Sequence, residues 1–140
     1  MKQLITYPIL IALFSLITAE EKATITPAHA SKHIGKYETV CGQVSSTYYA
    51  YKSKGKPTFI NLDKPYPDQI FTVMVWGSDR KNFKFKPEDF YRDKKICVEG
   101  KIKDYKGVSE IIIRTPKEVT VIEKNPVQSI KQGGIKWEIK

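Results

Sequence analysis

From residue 39 onward the side chains change character at every second position. Val40, Gly42 and Val44 alternate with Thr39, Cys41, Gln43 and Ser45, which is the period of a strand with one buried face. The run extends through Tyr48-Tyr49-Ala50-Tyr51 and predicts a long first strand, ended by the basic turn Lys52-Ser53-Lys54-Gly55-Lys56-Pro57. A second strand is expected over 58–63 and a third over 70–76, joined by the stiff Lys64-Pro65-Tyr66-Pro67-Asp68-Gln69 connection. Ser78-Asp79 offers a helix start, and Pro87-Glu88-Asp89 another with proline in the first turn. Both pieces are short and carry Phe83, Phe85 and Phe90 as packing groups. Alternation returns over 94–103, with Ile96, Val98 and Ile102 on one face. Beyond the turn Tyr105-Lys106-Gly107, a fifth strand is expected over 108–114 and resumes over 119–122. The chain holds no internal repeat.

The ends read differently. Met1-Lys2-Gln3 is a short positive start, residues 4–18 are mainly apolar, and Ala19 precedes the polar Glu20-Glu21-Lys22. These are the marks of a cleavable export signal over 1–19. The alternative is an uncleaved anchor, but the apolar run falls short of the roughly 20 residues a spanning helix needs. Export predicts a periplasmic or secreted protein. Residues 20–36 form a leader whose short helix starts at Pro27 and ends at Gly35. The folded domain then occupies 37–123. Asn125-Pro126 and Gly133-Gly134 mark 124–140 as a flexible tail, although the alternation of Ile135, Trp137 and Ile139 hints at a further strand.

Charge adds a partner class. The chain of 140 residues has 24 Lys and Arg against 15 Asp and Glu, a formal +9. Loss of the signal removes Lys2 alone and leaves +8. Such a bias attracts polyanions, whether nucleic acid, anionic lipid or acidic glycan. Hydrophobic content of 41%, with eight Tyr and six Phe, supports a core rather than disorder. Two Cys and two His exclude a cysteine-rich zinc module. His29 and His33 stand four apart, yet zinc needs three or four ligands, so they read as polar side chains on the leader. The sequence lacks G-x-S-x-G, H-E-x-x-H and Walker patterns. A non-catalytic module with no cofactor and no metal is expected.

Three strands, a short helical connection and two strands form the element order of the OB-fold. Val40-Cys41-Gly42-Gln43-Val44 and Ile96-Cys97-Val98-Glu99-Gly100-Lys101-Ile102 resemble the paired V-x-G-x-V strands of that family. Pro57-Thr58-Phe59-Ile60-Asn61-Leu62 and Phe71-Thr72-Val73-Met74-Val75-Trp76-Gly77 resemble the second and third strands of tRNA-anticodon-type OB domains. His33-Ile34-Gly35-Lys36 and Lys54-Gly55-Lys56-Pro57-Thr58-Phe59 look like runs in small exported bacterial OB proteins, similar to OB segments that accompany secreted nucleases. The resemblance covers about residues 30–122. It implies an all-β fold: a five-stranded Greek-key barrel with the helical connection between strands 3 and 4. Nucleases of the staphylococcal type share the barrel but need clustered carboxylates with arginines. Here Arg80, Arg92 and Arg114 are the only arginines, and Asp63, Asp68 and Asp79 form no recognisable cluster.

In an OB barrel the turns after strands 1 and 4 flank one face. The first supplies Tyr48, Tyr49, Tyr51, Lys52, Lys54 and Lys56, the second Lys103, Tyr105 and Lys106. With Ile60, Leu62, Val73 and Val75 inward, Phe59, Asn61, Met74 and Trp76 point onto that face. The opposite phase for 70–76 is open on pattern alone; β-branching favours the one taken. Lysines would neutralise phosphates while bases stack on the aromatics, so the expected partner is single-stranded or flexible DNA or RNA, with DNA foremost and little sequence preference. The alternatives are a protein partner or an acidic glycan on the same face, or aromatics that fill the barrel and lysines that only solubilise it. A monomer is expected. The resemblance also makes the first and fourth strands antiparallel neighbours, which would let Cys41 and Cys97 form a disulfide after export; two separate packing thiols are the alternative.

Overall fold

The long alternating run does build one long strand, β2 (Tyr37–Tyr49), and every other strand is arranged around it. The structure, a computed structural model, describes residues 23–123, so the expectations for the signal 1–19 and the tail 124–140 lie outside the described residues. The remaining strands are β1 (Thr24–Ile25), β3 (Thr58–Leu62), β4 (Phe71–Val75), β5 (Lys95–Lys101), β6 (Lys103–Tyr105), β7 (Val108–Ile112) and β8 (Val119–Ile122). They join in one sheet in the order β6-β7-β4-β3-β2-β5-β8, with β1 parallel to β2. β4 and β7 also run parallel, and the other pairs are antiparallel. A 3-10 helix over Pro27–His33 precedes β2, and the link from β4 to β5 carries a 3-10 turn (Arg80–Asn82) and the helix α1 (Pro87–Phe90).

The described residues are therefore mostly β, but with eight strands in an open ladder where a closed five-stranded barrel was expected. Three local causes account for the difference. Ile102 splits the 94–103 run, because its carbonyl accepts from the Gly35 N–H (2.8 Å) and its N–H donates to the Lys36 carbonyl (2.9 Å). The end of the leader thus takes both backbone groups of that residue, leaving β5 to pair with β2 and β6 with β7. The leader itself adds β1. Residues 119–122 do not resume β7: a 3-10 turn at Pro116–Glu118 precedes them, and they pair antiparallel with β5 as β8.

The apolar set of each strand meets on one side of the sheet. Val40, Ile60, Leu62, Phe71, Val73, Val75, Ile96, Val98, Ile102, Ile111 and Ile113 are all fully buried in one cluster. Each such side chain stabilises the fold by about 1.5–3 kcal/mol. Phe83, Phe85, Phe90 and Tyr91 from the β4–β5 link extend it with ring-to-ring contacts, Phe85 stacking on Phe90 at 4.0 Å between centroids. Burial pushes the Tyr91 phenol up to about 12. Cys41 and Cys97 face each other in the β2–β5 register and are joined by a disulfide, with Cα atoms 4.0 Å apart and a sequence separation of 56.

Two backbone irregularities set the outer face. The β2–β3 register passes from Val44↔Leu62 to Ser46↔Asn61, so Ser45 is an extra residue, a β-bulge. It reverses the phase of β2, placing Ser46 and Tyr48 beside Asn61 and Phe59, on the face opposite Val44. The β6–β7 hairpin turns through Lys106 (φ 51°) and Gly107 (φ 84°). Positive φ at both central residues is the turn whose twist matches paired strands, and glycine adopts it freely.

Candidate functional site

The bulge, the hairpin and the connection before β4 together shape a groove of about 790 Å³ on the outer face of β2, β3, β4 and β7. Its floor is one row across the sheet, Ser46, Asn61, Thr72 and Glu110, aligned by register. The Thr72 hydroxyl donates to Asn61 Oδ1 (2.8 Å), Asn61 Nδ2 donates to Ser46 Oγ (3.0 Å), and the Tyr66 N–H donates to the same oxygen (3.1 Å). This relay fixes Asn61 and Thr72, and it anchors Tyr66 at the rim. Tyr48 and Phe59 stand one step along the strands, and Tyr105 and Lys106 project from the hairpin opposite. Tyr48 and Tyr105 are 63% and 58% exposed, so flat rings edge the groove without filling it.

Glu110 ends the floor row and is only 8% exposed. Burial raises its pKa, the positive charge of Lys103 opposes the rise, and Asp104 adds to it. Gln69 also lines the groove, and its Oε1 is buried without a hydrogen-bond partner.

A second depression, about 680 Å³, lies beyond the β2–β3 turn. Trp76 lines it with Tyr37, Lys101, Lys103 and Arg114. The indole is 39% exposed and lies against Gly55, where a Cβ would come within 2.7 Å of the ring; Gly55 also has φ +75°. That position admits only glycine without displacement of Trp76.

The residues expected at the binding face therefore divide. Phe59, Asn61, Tyr105 and Lys106 line the groove together. Trp76 and Lys103 line the second depression. Tyr51, Lys52, Lys54 and Lys56 are exposed on the turn between β2 and β3, with Lys52 Nζ 5.5 Å from the Tyr51 ring. The phase chosen for β4 agrees with the core, Phe71, Val73 and Val75 inward, yet Met74 is covered on the outer side. Tyr49 follows the bulge onto the other face, where the Arg80 guanidinium stacks on its ring at 3.8 Å. Arg80 is held by a bidentate pair to Glu88 (2.7 and 3.1 Å) and by Thr58 Oγ1. Burial works against the Glu88 carboxylate, but the hydrogen bonds from Arg80 and the backbone outweigh it and lower its pKa. The same hydrogen bonds, accepted by Glu88, raise the pKa of Arg80.

Sequence reasoning did not select Ser46, Tyr66, Gln69, Thr72 or Glu110. Thr72 and Glu110 follow by alternation once β4 and β7 are known to be parallel neighbours; Ser46 does not, because the bulge hides its phase. His29 and His33 lie on a 3-10 helix and turn to separate partners, Thr26 Oγ1 (2.8 Å) and Glu38 Oε1 (3.0 Å).

No protein-family model matches the chain, and no curated protein matches it. Among solved structures, it is similar to a protein described as an aspartyl-tRNA synthetase from Leishmania major Friedlin, at 14% identity and a TM-score of 0.48. The match covers 81% of this chain and 23% of that one, so this chain spans less than a quarter of that protein's length.

Proposed function

We propose that this chain is an exported, non-catalytic OB-type module that binds single-stranded nucleic acid along the groove. One observation carries the reading: the two turns with exposed tyrosines and lysines, 51–56 and 105–107, lie beside a groove edged by aromatic rings. Bases stack on Tyr48, Phe59, Tyr66 and Tyr105, while Lys52, Lys54, Lys56 and Lys106 meet the phosphates outside. The formal charge of +8 after export draws a polyanion to any such face.

The OB reading is supported by strand order. If β5 and β6 are counted as one strand bent at Ile102, then β2, β3, β4, β5–β6 and β7 are five strands, with β4 and β7 parallel. The ladder then begins and nearly ends on the same covalent strand. Export is supported by the Cys41–Cys97 disulfide, a bond that persists in oxidising compartments. No helix among the described residues is long and apolar enough to cross a membrane.

The test is a titration of the signal-free chain with a single-stranded oligonucleotide, the duplex and heparin across salt concentrations. About four phosphate contacts on a single strand give a log–log slope near −3. Changing Lys54 and Lys56 to Ala should shallow that slope by about 1.4. Equal affinity for heparin and the single strand would reduce the face to a general polyanion surface.

A further inference from the structure

The groove is lined by Gln69, whose Oε1 is buried without a hydrogen-bond partner among the described residues, and by the carboxylate of Glu110. Glu110 stands at the end of the floor row, only 8% exposed, with no side-chain hydrogen bond to its carboxylate among the described residues; Lys103 is opposite it in the β6–β7 register, and its charge acts on the carboxylate. The Thr72 hydroxyl beside it in the register already donates to Asn61. Leaving a buried acceptor such as Gln69 Oε1 unpaired is costly. A site built this way recovers that cost when a ligand brings donors. Phosphate brings none, and the carboxylate repels it, so phosphates stay at the lysines outside and the neutral bases face inward.

We infer that the groove selects guanine, whose N1–H and N2–H₂ meet the Glu110 carboxylate as a parallel pair while its ring stacks on the tyrosines at the edge. This rests on the nucleic-acid reading above and narrows it from little sequence preference to one base. The donor patterns decide the choice. Guanine alone presents two adjacent N–H donors on its pairing edge. Adenine and cytosine each set their amino group beside a ring-nitrogen acceptor, which the carboxylate repels. Thymine and uracil flank a single N–H with two carbonyls. A bidentate carboxylate therefore favours guanine in both attraction and repulsion. Gln69 Oε1 offers an acceptor to a further N–H or a sugar hydroxyl.

The experiment measures the affinity of the signal-free protein, at fixed salt and pH 8, for oligothymidylate and for the same strand with one central G, inosine, A or C. A bidentate contact predicts the G strand tightest, by roughly 5- to 150-fold over the T-only strand. Inosine keeps N1–H but lacks the 2-amino group, so it falls between. Glu110→Gln replaces one acceptor by a donor with little change of shape; it should erase the preference for G over the other strands. If that variant does not fold, the base series on the unmodified protein still decides. Equal affinity for all five strands, or inosine binding as well as G, overturns the guanine inference while single-strand binding stands. Failure to bind any strand overturns the nucleic-acid reading itself.

Discussion

At the scale of single residues, the best-determined contributions come from groups that face each other. Cys41 and Cys97 close a loop of 56 residues, and the chain-entropy treatment assigns such a closure about 4 kcal/mol. Urea unfolding with and without a thiol reductant should differ by roughly that amount; indistinguishable midpoints would show that the bond constrains nothing. Glu88 gives a pH dependence. Its folded pKa lies below the unfolded one, so the Arg80–Glu88 pair stabilises fully above the unfolded value, about 4.3. That stability is lost as pH falls through the folded value. Glu88→Gln should cost about 2 kcal/mol at pH 7 and shrink toward no cost near pH 2. A penalty that stays constant with pH would mean that shape, not charge, is the source.

At the scale of elements, the strands were legible in the sequence where their pattern was local. Alternation located β2, β3, β4 and β7 to within a few residues, and β-branching picked the buried side of β4. The pairing of Cys41 with Cys97 followed from the neighbours that the OB resemblance implies. What the pattern hid was non-local. The Ser45 bulge reverses β2 without any sequence mark, which moves Tyr48 into the groove and Tyr49 away from it. The split at Ile102 depends on backbone groups 66 or 67 residues earlier in the chain. Trp76 is 39% exposed, but it lies against Gly55 and lines the second depression rather than the groove. Of the candidate site, the hairpin and the outer positions of β3 were readable, and the floor row was not. The hairpin also carries a prediction. Gly107→Val forces a β-branched residue into positive φ and should lower stability by about 1–2 kcal/mol in a denaturant titration. A neutral result would mean that the turn adapts, and that Tyr105 and Lys106 are not held in place by it.

Considered whole, the molecule separates its two tasks by face. One side of the sheet is an apolar core finished by the Phe83–Tyr91 aromatics, and the disulfide ties β2 to β5 on the opposite face. The other carries the polar floor and the aromatic edge, with cations displaced to the turns. This separation lets edge residues change without loss of fold, so binding can be tested apart from stability. The most direct measurement is the single-strand affinity of a Tyr48→Ala, Tyr105→Ala double variant, both rings being exposed in the free protein. Base stacking is worth about 1–3 kcal/mol per ring. The variant should therefore melt within a few degrees of the unmodified chain yet bind at least roughly 25-fold more weakly. A folded variant with unchanged affinity would contradict the groove as the binding site.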